Sequence, residues 1–210
     1  MPVELPIGCS CGALRGVARG VSGARGNRVV CYCDDCQCYA HVLERAAKIL
    51  DAHGGTDIFQ MSSARLEITD GIEHLACLRL KPGGLLRWYA DCCRTPIGNS
   101  LASRQLPFVG LVQSCTDPAS AGVSRDEALG PIRARVQGRF AKGDRAQLDA
   151  HERFPTSQLF RFVPLLLLWR LRGDHKRSPF FDAQTGEPTA RARVLSGDEL
   201  RAAEAARDAL

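Results

Sequence analysis

Three cysteines fall within six residues at Cys31-Tyr32-Cys33-Asp34-Asp35-Cys36. Thiols this close do not pair readily with one another as disulfides, but they converge easily on one soft metal ion. A two-residue gap lets a turn present two sulfurs to the same Zn²⁺ at about 2.3 Å. The one-residue gap between Cys31 and Cys33 does the same in extended chain, where positions i and i+2 share a face. Three thiolates around Zn²⁺ carry a net charge of −1 and leave one tetrahedral position for water or a substrate sulfur, the feature that separates catalytic from structural zinc. Cys38 follows in the same run. It either closes the site as a fourth ligand or packs as a small buried hydrophobe. His41 and Asp35 are the nearest candidates for a general base.

Cys9-Ser10-Cys11 repeats the device upstream, and Cys92-Cys93 supplies a third cluster. A Cys-x-Cys joined to a distant pair of thiols would staple two ends of a β-domain and contribute folding energy directly. Cys77, inside an apolar run, and Cys115 read as core thiols. His53, His74, His151 and His175 show no ligand spacing. No Ser-His-Asp pattern and no phosphate-cradling glycine loop stands out.

The chain around these residues has 210 positions, 45% of them hydrophobic and 24% charged, with a formal net charge of +5. These are values of a globular protein. MPVELPIG lacks the basic-then-apolar pattern of a secretory signal, so the expectation is a reducing, cytoplasmic compartment where clustered thiols favour metal or catalysis. No dense Lys/Arg run marks a phosphate-binding patch, and nucleic acid is an unfavoured partner. The apolar stretch Phe162–Trp169 falls well short of the roughly 20 residues needed to cross a bilayer. With Arg161, Arg170 and Arg172 around it, it reads as a buried or partner-contacting helix, with a helix in a membrane interface as the alternative.

Short strands separated by glycine turns are expected over 5–38, then a helix over about 40–50 ended by Gly54-Gly55. Strand-like runs follow at 57–61, 66–69, 74–80, 85–89 and 108–112, with Lys81-Pro-Gly-Gly84 as a turn. The fold class is mainly β with added α. A division is expected between a zinc-binding β domain at 1–118 and a C-terminal extension at 119–210. The extension carries an apolar helix near 164–171, with Pro164 in its first turn, and a terminal helix near 197–209 behind the capping box Ser196-Gly-Asp-Glu199.

Taken in order, Cys9-Ser-Cys11-Gly12, Cys31-Tyr-Cys33-Asp-Asp-Cys36 and Cys93-Arg-Thr95-Pro96-Ile97 resemble the glutathione-dependent formaldehyde-activating enzyme family, which includes centromere protein V. The resemblance covers about residues 5–118. It implies a β-tent of packed antiparallel sheets, a structural zinc at Cys9, Cys11 and Cys93, and a catalytic zinc at Cys31, Cys33 and Cys36. It also implies carbon–sulfur lyase activity on a glutathione adduct such as S-hydroxymethylglutathione. Two positions depart from the family pattern: Ala90 stands where a cysteine is expected, and Arg94 where a glycine is expected. Cys92 could supply the missing ligand from a shifted position; the alternatives are a site that is three-coordinate, altered or absent.

Two further readings need no lyase. One is a non-catalytic, zinc-stabilised binding module working through its basic C-terminal part. The other is a thiol redox protein using Cys36 and Cys38. The extension could cover the cleft, form a homodimer surface or bind a partner.

Overall fold

The computed structural model describes residues 1–146 and 148–209. Among them, eleven strands form two sheets. The smaller sheet pairs β1 (Val3–Gly8) with β2 (Arg15–Val21) and β2 with β5 (Leu66–Asp70), all antiparallel. The larger is built on β3 (Asn27–Cys31), β4 (Thr56–Ser62), β6 (Leu75–Arg79), β7 (Leu86–Ala90), β8 (Thr95–Ser100) and β9 (Phe108–Val112). Two short strands, β10 (Ala134–Val136) and β11 (Arg193–Val194), complete its edges, giving the order β10-β3-β4-β9-β8-β7-β6-β11. The mainly β class with added helices is therefore what the chain adopts.

Apolar side chains of both sheets meet in one core that includes Leu5, Leu14, Phe59, Trp88, Ile97 and Leu111. Alternate residues of a strand point to opposite faces, so each strand sends every second side chain into this layer. Trp88 is fully buried. Its indole N–H donates to Ser100 Oγ at 2.9 Å, which removes the cost of an unpaired donor in the core.

Residues beyond 118 are built into this body. Phe180 stacks on Trp88 with ring centroids 4.7 Å apart, and burying a side chain of that size contributes on the order of 2–3 kcal/mol. The edge strands β10 and β11 pair in parallel with β3 and β6, so two segments of the extension lie in the larger sheet. The run 108–112 is thus followed by two further strands.

The helical segment after Cys36 differs from the expected single helix at 40–50. It is two pieces, α1 (Asp34–Val42) and α2 (Ala46–Ile49). The break comes at Glu44, whose φ of 54° is left-handed and cannot continue a helix. The start is earlier because Cys33 acts as N-cap: its sulfur accepts from the Cys36 backbone N–H at 3.3 Å, and Asp34 and Asp35 fill the dipole-favoured first turn. The short helix α3 (Arg125–Leu129) has a full Ser124/Glu127 capping box.

Helix α4 (Thr156–Leu171) begins eight residues before Pro164, which sits in its interior rather than its first turn. Proline there leaves the carbonyl of Phe160 without its helical donor. Helix α5 (Gly197–Asp208) starts at the Ser196/Glu199 capping box and packs against α1. No helix among the described residues is long and apolar enough to cross a membrane.

Candidate metal centres

The first group lies where β3 runs into α1. Cys31 ends the strand, Cys33 caps the helix, and Cys36 is in its first turn. Their three sulfurs lie within 4.8 Å of one another. Tetrahedral thiolate coordination at a metal–sulfur distance of 2.3 Å requires sulfurs about 3.8 Å apart, so this donor set fits one ion. Cys36 is buried and the other two are partly exposed, which leaves the group open on the Cys31/Cys33 side. Val136 of β10 pairs with Cys31, and Phe154 packs against the same small core of Val29, Cys36, Ile58, Ala134 and Val136 as Cys31 and Cys33, so the extension contributes to that core.

Of the three thiols, the surroundings favour ionisation of Cys36. Hydrogen bonds from Cys31 and Cys33 hold Cys36 well below the usual thiol range, against the effect of burial and with help from Arg87. Cys33 is pushed well up by hydrogen bonding to Cys31 and Cys36 and then by burial. For Cys31 the bond to Cys33 pulls down, but bonding to Cys36 and burial prevail and raise it.

Arg87 explains how the charge is tolerated. Its side chain is 2% exposed, with Nη1 3.9 Å from Cys36 Sγ and 3.2 Å from Asn99 Oδ1. It also lies over the Tyr39 ring at 5.1 Å. Burial would lower its pKa, but the sulfurs of Cys36 and then Cys33 raise it. A buried guanidinium needs an anion. Asp35, half exposed, reaches only 3.9 Å from Nη2, so the sulfur cluster is the nearest buried source of negative charge.

Cys38 is outside this group. Two positions along a helix turn it to another face, where it packs with Tyr39, Leu43, Leu78, Leu195 and Ala203 and accepts from Arg207 Nη1 at 3.8 Å. It therefore neither fills the fourth position nor faces Cys36 as a redox partner. His41 is also turned away. It lines a cavity of about 530 Å³ with Glu44, Tyr89, Arg94 and residues of α5, its Nε2 buried without a partner. Burial first, and then Lys142, lowers its pKa. Asp35, between Cys33 and Cys36 in the chain, lies 3.9 Å from Nη2 of Arg87, the guanidinium that also approaches Cys36.

The second group brings together Cys9, Cys11, Cys92 and Cys93, all within 4.8 Å of one another. Cys11 and Cys92 sulfurs are 3.3 Å apart, Cys9 and Cys92 3.7 Å, and Cys92 and Cys93 3.9 Å. The set again fits a tetrahedral centre. It joins the β1–β2 turn of the smaller sheet to the β7–β8 turn of the larger. The Leu14 backbone N–H donates to Cys9 Sγ at 3.2 Å. Burial works against ionising Cys93, but hydrogen bonds from Ser10 and Thr95 bring it down to about 5. Arg45, between α1 and α2, donates to the Cys93 carbonyl and to Ser10 Oγ, fixing the two helices to this turn.

The residue spacing gives His74 no ligand role. In the structure it forms a third group with Asp91 and Cys92 and lies 3.3 Å from Asp91. The β6–β7 pairing, Leu75 opposite Ala90, sets that neighbourhood. A signal existed only in the hairpin register, not in the residue spacing.

A further cavity, of about 310 Å³, adjoins the first group through Asp34. Arg139, Lys142, Arg145 and Arg207 line it against Asp34 and Asp208. Its cations all come from residues beyond 118.

Residues 1–193 match the model of a family described as a family of unknown function (DUF6151). No curated protein matches the chain.

Proposed function

The chain belongs to that family of unknown function, and for it we propose a zinc-dependent carbon–sulfur lyase acting on a thiol adduct, of which S-hydroxymethylglutathione is the type. The observation that carries this reading is the three-sulfur group itself. Cys31, Cys33 and Cys36 converge on one point while Cys38 and His41 face elsewhere, so a tetrahedral ion held there keeps one position for a ligand. Zinc in that place would act as a Lewis acid and favour the thiolate form of an incoming sulfur.

The chain's own residues support the rest. Arg87 offsets the negative charge of the thiolates from the buried side. Asp35, half exposed and 3.9 Å from Arg87 Nη2, is the group we assign to take the hydroxyl proton of a hemithioacetal. Loss of that proton lets the C–S bond break, the electron pair leaving with sulfur, to give an aldehyde and a thiolate. Arg139, Lys142, Arg145 and Arg207 form a basic recess next to Asp34 that suits the carboxylates of a glutathione-like substrate. In this reading Cys9, Cys11, Cys92 and Cys93 hold a second, structural zinc.

The test has two parts. A cobalt-substituted protein should change its thiolate-to-metal absorption when glutathione is added, and Cys33→Ser should abolish that response. Exchange between formaldehyde, glutathione and their adduct, followed by NMR, should accelerate with wild-type protein and slow at least about tenfold with Asp35→Asn. A cobalt site indifferent to thiols would refute the open position, and unchanged exchange would refute the lyase.

A further inference from the structure

Helix α4 is apolar on two opposite faces, and only one of them is used. Trp169 is buried, and Phe162 packs edge-on against Phe108 and Trp169 with centroids 5.3 and 6.2 Å away. The other face carries Phe160, Val163, Leu167, Leu168 and Leu171, spaced at helical i, i+3, i+7, i+8 and i+11. Phe160 and Leu171 are 82% and 85% exposed, and Leu167 is 58% exposed. Scattered surface leucines need no explanation, but a continuous stripe of this length on one helix marks an interaction surface.

The charges around the stripe select what it meets. From Phe154 to Gly173 there is no Asp or Glu, while Arg161, Arg170 and Arg172 lie within that span. Lys176 and Arg177 extend the basic end beyond Leu171. Asp174 next to them is buried and accepts from Ser62 Oγ at 2.7 Å, with only a 3.6 Å approach to Arg177. The exposed end is thus strongly cationic beside its most exposed leucine. A second copy of this chain would set the same carboxylate-free, cation-bearing helix against itself. An anionic lipid surface matches both properties, because acyl chains take the stripe and phosphate headgroups take the cations. At 16 residues the helix is too short to span and suits lying in the interface.

We propose that the outer face of α4 docks this protein onto anionic membranes, with Phe160, Leu167 and Leu171 buried at the headgroup–acyl boundary and Arg172 and Lys176 on the lipid phosphates. The experiment is co-sedimentation of the full chain with phosphatidylcholine vesicles, with and without one-third phosphatidylserine. Binding is expected only with phosphatidylserine and should weaken in high salt. Phe160→Asp and Leu167→Asp lie on the exposed face and leave the fold intact by circular dichroism. Each should weaken binding by at least about tenfold. Arg172→Gln and Lys176→Gln should each weaken it by about fivefold. Failure of the wild type to bind phosphatidylserine vesicles overturns the proposal, as does binding that survives Phe160→Asp. A concentration-dependent dimer dissociated by Leu167→Asp, with no vesicle binding, also overturns it and assigns the face to a second copy.

Discussion

Gly12 and Arg94 stand in the same place in two different turns. Each follows the last cysteine of its turn, and both are left-handed, with φ of 79° and 58°. The two turns face each other across the four-sulfur group, so each is bent in the way that brings its sulfurs inward. Glycine adopts this backbone freely, whereas a residue with a Cβ carries about 1–2 kcal/mol of strain. Arg94 makes an ion pair with Glu44, itself left-handed, but the pair is exposed and worth little.

An asymmetry follows. A Cβ at Gly12 would find space, with Arg15 Nη2 nearest at 3.6 Å, so Gly12→Ala is penalised by its backbone alone and should cost about 1–2 kcal/mol. Arg94→Gly relieves similar strain but loses the surface pair and adds unfolded-state entropy, leaving it neutral to stabilising within about 1 kcal/mol. Urea unfolding of the two variants measures this. A loss with Arg94→Gly equal to that with Gly12→Ala would show that Arg94 is held for its side chain.

Arg87 supplies the second prediction. Its guanidinium is buried against Cys36 Sγ at 3.9 Å, and the neutral Asn99 gives it only one hydrogen bond. Replacing it with Met leaves the sulfur cluster's charge uncompensated in a low-dielectric site. Arg87→Met should cost about 3–5 kcal/mol of stability. It should also weaken metal binding at Cys31, Cys33 and Cys36 at least about tenfold, read by competition with a chelator. Unaltered metal affinity would mean that Arg87 balances some other charge.

Local pattern carried most of the β-structure and the grouping of the sulfurs. The hydrophobic runs at 57–61, 66–69 and 108–112 became β4, β5 and β9 because alternation with bounding turns is a local property. Cys9 and Cys11 could be grouped with Cys92 and Cys93 because repeated thiols are rare enough to seek one another. What the sequence hid is what long-range pairing decides. Nothing local places Val136 opposite Cys31, stacks Phe180 on Trp88, or puts His74 beside Asp91. The break at Glu44 was equally hidden, since apolar residues keep a helical period through 40–50 while the backbone turns left-handed between them.

Acid should loosen the last turn of the terminal helix, where an exposed carboxylate ties it to Lys142. Asp208, at the end of α5, accepts from Arg207 at 2.8 Å and lies 3.3 Å from Lys142 Nζ. The Arg207 hydrogen bond, then Lys142, pull its pKa from 3.8 down to about 2. A carboxylate with a depressed folded pKa stabilises fully above its unfolded value and loses that contribution as pH falls through the folded one. The tie between α5 and Lys142 should therefore be constant above about pH 5 and fail between about pH 4 and 2. Hydrogen exchange of the amides in the last turn of α5 across this range is the measurement, and Asp208→Asn should show their low-pH protection already at neutral pH. Exchange that instead changes between pH 5 and 8 would assign the control to a different group.

The two sulfur groups should differ in what they do for stability because they close very different lengths of chain. Cys11 and Cys92 are 81 residues apart, so an ion bridging them removes the freedom of a long loop from the unfolded state. Cys31 to Cys36 spans a single turn that Cys33 already caps and Gln37 already ties down, its amide donating to the Tyr32 and Phe140 carbonyls at 2.6 and 3.0 Å. Loop-closure entropy alone makes the longer link worth roughly 2–3 kcal/mol more. With metal bound, Cys11→Ser should therefore destabilise the protein by about that much more than Cys33→Ser. Each variant should lose metal from its own group alone, whereas Cys38→Ser should keep the metal of both. Metal content per chain, read beside urea unfolding of the same samples, decides it. Equal destabilisation by Cys11→Ser and Cys33→Ser would show that the four-sulfur group does not staple the two sheets.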